Sequence, residues 1–145
     1  MDEIKKILIA TDGSEYTKEA VTYGLKLAKV LGAEVTALYV VDQPSFVSFP
    51  MDSSVVSVYS LLENEGKKAV DEVVAEGTAM GVKVTPIVVE GSPTRKIVET
   101  AHDMDLVVMG TLGRSAISKL FMGSVAERVT RYAPCPVLVV RSKKR

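Results

Sequence analysis

The feature of this 145-residue chain that most limits its fold is a set of short, nearly uninterrupted aliphatic runs. They are Ile7-Leu8-Ile9-Ala10, Val35 to Val41, Val82 to Val89, Leu106 to Met109 and Val137 to Val140. A strand with one wet face alternates apolar and polar residues, whereas a strand covered on both faces does not. The segments between the runs carry helical spacing instead. After Ser14, residues Ala20, Val21, Gly24, Leu25, Ala28 and Leu31 form one apolar stripe, and Gly32 follows as a helix-ending glycine. A second helix is expected from Leu61 to Met80, closed by Gly81. A third opens with Ser92 as cap and Pro93 at the first helical position, and a fourth starts around Gly123-Ser124.

Strict β-α alternation of this kind predicts an α/β chain: a single-domain, open, parallel five-stranded sheet with helices on both faces. Pro86 lies inside the third strand and cannot donate to a ladder, so that strand belongs at an edge. The strand order 3-2-1-4-5 satisfies this. The length allows one domain, 1–145, and not two. Asp42 to Tyr59 breaks the rhythm with two prolines and no clean period, and is read as a long variable loop. Phe46, Val47, Phe49 and Met51 make it too apolar for a plain linker, and suit it to covering a site or meeting a partner.

Several functions are argued against. Lys plus Arg equals Asp plus Glu at 18 each, so no overall charge favours nucleic acid or a membrane surface. The basic run from Arg141 to Arg145 is read as a solvated terminus. Cys135 is the only cysteine, so no intrachain disulfide forms; set between Pro134 and Pro136, it reads as a packed residue. One histidine and no Cys/His cluster leave no metal site. His102 is expected to sit near a helix C-terminus without chemistry. No apolar stretch approaches a membrane span, and the N-terminus lacks the apolar core of a signal peptide; the expected location is the cytoplasm.

In open α/β sheets ligands bind beyond the carboxyl ends of the strands, where the strand order reverses. In the expected order that point lies between strands 1 and 4. The loops there are Thr11-Asp12-Gly13-Ser14 and the stretch that follows Met109, from Gly110 to Ser124. Phosphate binding needs backbone N–H groups free of obstructing side chains, which Gly110, Gly113 and Gly123 provide. A helix beginning at Gly123-Ser124 adds unpaired N–H groups and a favourable dipole. Ser124 adds a hydroxyl for phosphate or Mg²⁺, and Arg114 and Lys119 add positive charge. By themselves the glycines also suit simple turns, and Asp12 suits a helix cap.

The spacing Gly110-x2-Gly113-x9-Gly123-Ser124 resembles the ATP-binding signature of the universal stress protein family. Ile7 to Ser14 resembles that family's first strand and turn, Tyr39-Val40-Val41-Asp42 the end of its second strand, and Pro134 to Val140 its last strand. The resemblance spans nearly the whole chain except Asp42 to Tyr59. It implies an adenine nucleotide alpha hydrolase-like, Rossmann-like fold with ATP, accompanied by Mg²⁺, as ligand. Asp12, with Ala10 and Thr11 beside it, would lie near the adenosine end, and Val40 would touch adenine. Met109, Gly110 and Gly113 would follow the ribose and phosphates beside Arg114, and Gly123, Ser124 and Val125 would hold the phosphate tail. No catalytic residue is implied. The last strand, Val137 to Val140, would pair with its equivalent in a homodimer, and further protein partners remain unnamed.

The leading expectation is therefore an ATP-binding regulatory switch in stress response with slow hydrolysis. The alternative is a nucleotide-processing enzyme on the same scaffold, an ATP hydrolase or nucleotidyl transferase. Such enzymes resemble this fold but use a His-x-Gly-His or Ser-Gly-Gly-type loop near the first strand, where this chain has Thr11-Asp12-Gly13-Ser14. A flavodoxin-like carrier fits less well: the first turn is a poor flavin phosphate loop, and the chain has no Trp.

Overall fold

The computed structural model describes residues 3–42, 53–112 and 122–142, with side chains described from residue 58 in the second stretch. The elements, in chain order, are β1 (Lys6–Ala10), α1 (Glu15–Leu31), β2 (Glu34–Asp42), α2 (Ser53–Ala79), β3 (Val84–Gly91), α3 (Pro93–Ala101), β4 (Leu106–Gly110), α4 (Ser124–Tyr132) and β5 (Val137–Val140). The strands form one sheet in the order β3-β2-β1-β4-β5, with all four neighbouring pairs parallel. This is the predicted α/β topology, with Pro86 on the edge strand opposite Ala37.

The aliphatic runs are continuous because both faces of the sheet are covered. In β1, Ile7 and Ile9 join Val35, Ala37, Tyr39 and Val41 of β2 and Val108 of β4 in one cluster. That face is closed by Val21 and Leu25 of α1 and by Ala69, Val70 and Val73 of α2. The alternate residues Leu8 and Ala10 join Leu38, Val107 and Met109 in a second cluster, closed by Ile97 and Ala101 of α3 and Ala126 and Val129 of α4. Ile7, Leu8 and Ile9 are each 0% exposed, so neither phase of the strand's two-residue period reaches water.

Two element starts differ from the sequence reading by more than one residue. The second helix starts at Ser53, eight residues before Leu61, so the last part of the expected loop is helical. The serines and β-branched valines of 53–58 have modest helix propensity. Tyr59 and Leu62 pack on the first cluster, and this tertiary contact extends the helix where propensity does not. The third strand starts at Val84 rather than Val82. Val82 instead donates its N–H to the Gly77 carbonyl at 2.8 Å. It is buried in the turn after α2, with Gly81 at φ 79°.

The start of β4 is tied to the start of β1 by Asp105. Its Oδ2 accepts the N–H groups of Lys5 at 3.0 Å and Lys6 at 2.9 Å. These bonds, Lys5 first, hold the carboxyl below its ordinary range. Cys135 packs against the second cluster, and burial pushes its thiol up. Among the described residues no helix is long and apolar enough to cross a membrane.

Candidate functional site

A cavity of about 490 Å³ opens at the carboxyl ends of β1, β2 and β4. It lies where the strand order reverses, and its size suits a small-molecule ligand. One side is the turn after β1. Thr11 N–H donates to the Leu38 carbonyl at 3.0 Å, extending the ladder one residue past the strand. Gly13, at φ 77°, then swings the chain toward α1. Asp12 Oδ1 accepts the Ser14 N–H at 2.9 Å, and the Thr17 hydroxyl lies 3.0 Å from the Ser14 carbonyl, to which it donates. Thr11 Oγ1 accepts the Gly13 N–H at 3.1 Å. Asp12 thus organises the turn by a local side-chain bond. Ser14, and not Asp12, occupies the cap position of α1.

The opposite side is the first turn of α4. Gly123 caps it and offers no side-chain oxygen. Its own N–H goes to the Thr111 carbonyl at 2.7 Å. A helix leaves its first N–H groups without intrahelical partners, and Ser124, Val125 and Ala126 all line the cavity. The site therefore presents a bare helix N-terminus, with the positive end of the helix dipole, to whatever occupies it.

The remaining walls are largely apolar. Val40, Pro93, Ile97 and Met109 line them, with Leu62 of α2 and Tyr39 of β2. Gly66 lets α2 reach Tyr39, since a Cβ there would come within 2.6 Å of the ring. The charged residues among the described lining are Asp12 and Asp42, both carboxylates.

Of the residues expected at a site, Ala10, Thr11, Asp12, Val40, Met109, Gly110, Gly123, Ser124 and Val125 are brought together around this cavity. Gly113, Arg114 and Lys119 lie outside the described residues. The glycines have reasons of their own. A Cβ on Gly110 would sit 3.3 Å from the Leu112 and Tyr16 carbonyl oxygens, and one on Gly123 would sit 3.1 Å from the Thr111 carbonyl oxygen. Sequence reasoning missed Pro93 and Ile97, which reach the cavity from α3. The Ser92-Pro93 start signal put that helix N-terminus at the same end of the sheet, and was the available clue. The same reasoning gave Thr111 no role of its own, although the residue lies in the Gly110 to Ser124 stretch expected at the site.

Residues 3–141 match the sequence model of the universal stress protein family. Universal stress protein MJ0531 of Methanocaldococcus jannaschii is 43% identical over 143 residues, covering 97% of this chain and 84% of that protein. The solved structure of the hypothetical protein MJ0577 is similar at a TM-score of 0.86 and 31% identity, covering 99% of this chain and 100% of that one. A universal stress protein in complex with cAMP shares the fold at a TM-score of 0.72 and 23% identity, over 98% of this chain and 100% of the other.

Proposed function

The chain belongs to the universal stress protein family, and from that footing we propose that it is an adenine-nucleotide-binding regulatory protein whose ligand is ATP with Mg²⁺. The observation that carries the reading is the pairing of apolar walls with the open N-terminus of α4 in one cavity. A nucleotide has an apolar, planar base and an anionic tail, and this pairing suits both. The family resemblance assigns Val40 to the base and Asp12, with Ala10 and Thr11, to the adenosine end. Met109 and Gly110 would flank the ribose and phosphates. The N–H groups of Ser124 and Val125, and the Ser124 hydroxyl, would hold the phosphates, with Gly113 and Arg114 from the neighbouring loop. That a protein of this fold holds cAMP is in keeping with an adenine nucleotide here.

Among the described residues no group of three or more His, Cys, Asp or Glu is placed to hold a metal ion. Mg²⁺ would therefore be held mainly by the phosphates and water, its ordinary mode in nucleotide sites. Bound ATP is turned over slowly on this reading. Phosphoryl transfer to water needs a group to orient the attacking water, and 110–124 contains no Glu, Asp, Gln or His. The protein then works as a switch read by protein partners, and as a homodimer paired through Val137 to Val140.

The deciding experiment is mass analysis of nucleotide that co-purifies, with calorimetric titration of ATP and AMP and a phosphate-release assay with Mg²⁺. ATP binding with turnover far below about one per second is expected. Absence of binding overturns the nucleotide reading, and faster turnover places the protein among enzymes.

A further inference from the structure

Among the described residues, two buried side-chain oxygens have no hydrogen-bond partner, Ser14 Oγ and Thr111 Oγ1. Ser14 does not line the cavity, but Thr111 does. Thr111 is 8% exposed, so its hydroxyl has lost water without gaining a protein partner. Its backbone is fully engaged. Thr111 N–H donates to the Val140 carbonyl at 3.1 Å, and its carbonyl accepts the Gly123 N–H at 2.7 Å. These two bonds fix the residue beside the first turn of α4. An unmet buried hydroxyl on a fixed backbone, next to unmet helix N–H groups, marks a place where something else completes the bonding.

We propose that Thr111 is a phosphate-binding residue: in the liganded protein its hydroxyl donates to a phosphate oxygen that the N–H groups at the start of α4 also hold. This rests on the nucleotide reading above and names a contact that the glycine signature does not. A hydroxyl donates readily, a phosphate oxygen accepts only, and the bond is charge-assisted. Thr111 is part of the cavity wall, so one step between staggered χ1 wells changes which of its substituents faces the ligand. The ligand class that satisfies it is a nucleotide with a phosphate, and not the free nucleoside.

The test uses the full chain as wild type, Thr111→Val and Thr111→Ser. Each is titrated with ATP, AMP and adenosine by calorimetry and melted without ligand. Valine keeps the shape and removes the unmet hydroxyl. The ligand-free Thr111→Val protein should melt about 2–4 °C higher than wild type, yet bind ATP and AMP about tenfold more weakly, with adenosine unchanged. Thr111→Ser keeps the hydroxyl and should retain ATP affinity within about threefold. Equal ATP affinity in wild type and Thr111→Val overturns the proposal while leaving the nucleotide reading intact. So does a loss that is as large for adenosine, or a loss that Thr111→Ser shares. A lower melting point in Thr111→Val shows a structural partner for the hydroxyl and also overturns it. A wild type that binds none of the three removes the nucleotide reading itself.

Discussion

A Cβ on Gly123 would come within 3.1 Å of the Thr111 carbonyl oxygen, the atom that accepts the Gly123 N–H. The residue's φ of −62° and ψ of 156° are open to any amino acid, so what weighs against a side chain here is the close approach and not the backbone angles. A branched side chain there has two effects. It pushes on the bond that seats α4, an overpacking cost of about 1–3 kcal/mol, and it occupies the space in front of the helix N-terminus. Gly123→Val is therefore expected to melt lower than wild type and, on the proposed function, to lack the rise in melting temperature expected of the wild type with ATP. Thermal unfolding with and without ATP reads both. A variant that melts and responds as wild type does would show that the neighbouring carbonyl yields easily. Glycine at 110 and 123 was legible as part of a pattern, but the crowding around each was not. The sequence suggested room for a phosphate, and the structure adds that the carbonyl oxygens of Tyr16, Leu112 and Thr111 crowd a Cβ at either position.

Between elements, Asp105 joins the entry of β4 to the entry of β1 through two backbone N–H bonds. Its pKa is lowered, chiefly by the Lys5 N–H. The stability it contributes is fully present above the unfolded aspartate value of about 3.9 and is lost as pH falls through the depressed folded value. Asp105→Asn should therefore flatten the acid limb of a plot of melting temperature against pH; an unchanged limb would mean the two bonds are not felt. Helix and strand identity was readable where local chemistry was decisive. Gly32 closes α1 at φ 68° as its position after Leu31 suggests, and Pro86 marks the edge strand. The start of α2 was not read because the serines and β-branched valines of 53–58 have modest helix propensity, although Val55 and Val58 do keep helical spacing with Tyr59 and Leu62, which pack on the core. The candidate site divides in the same way. The turns after β1 and β4 follow from strand order, whereas Pro93, Ile97 and Leu62 enter only once α3 and α2 are seen to lean over the carboxyl ends.

At the scale of the whole molecule, β5 is an edge strand of four aliphatic residues, each only half-buried in one chain. An edge of that composition is an association surface unless something covers it. The protein is expected to scatter light as a dimer at micromolar concentration, and Val139→Lys is expected to shift it toward monomer. Circular dichroism must show the fold retained, since Val139 also packs on the second cluster; a monomeric wild type would overturn this assembly. The bond from Gly123 N–H to the Thr111 carbonyl closes the chain between them into a loop whose two ends are fixed whatever path the intervening residues take. Lengthening such a loop is inexpensive: each doubling adds only about 0.6 kcal/mol of closure entropy. By this estimate a change of length between 112 and 122 costs the register of β4, α4 and the cavity mouth little, whereas the spacing Gly113-x9-Gly123 that the proposed function uses would be altered by it. On the proposed function, replacement of Gly113 or Arg114 would then be felt by the ligand rather than by the fold.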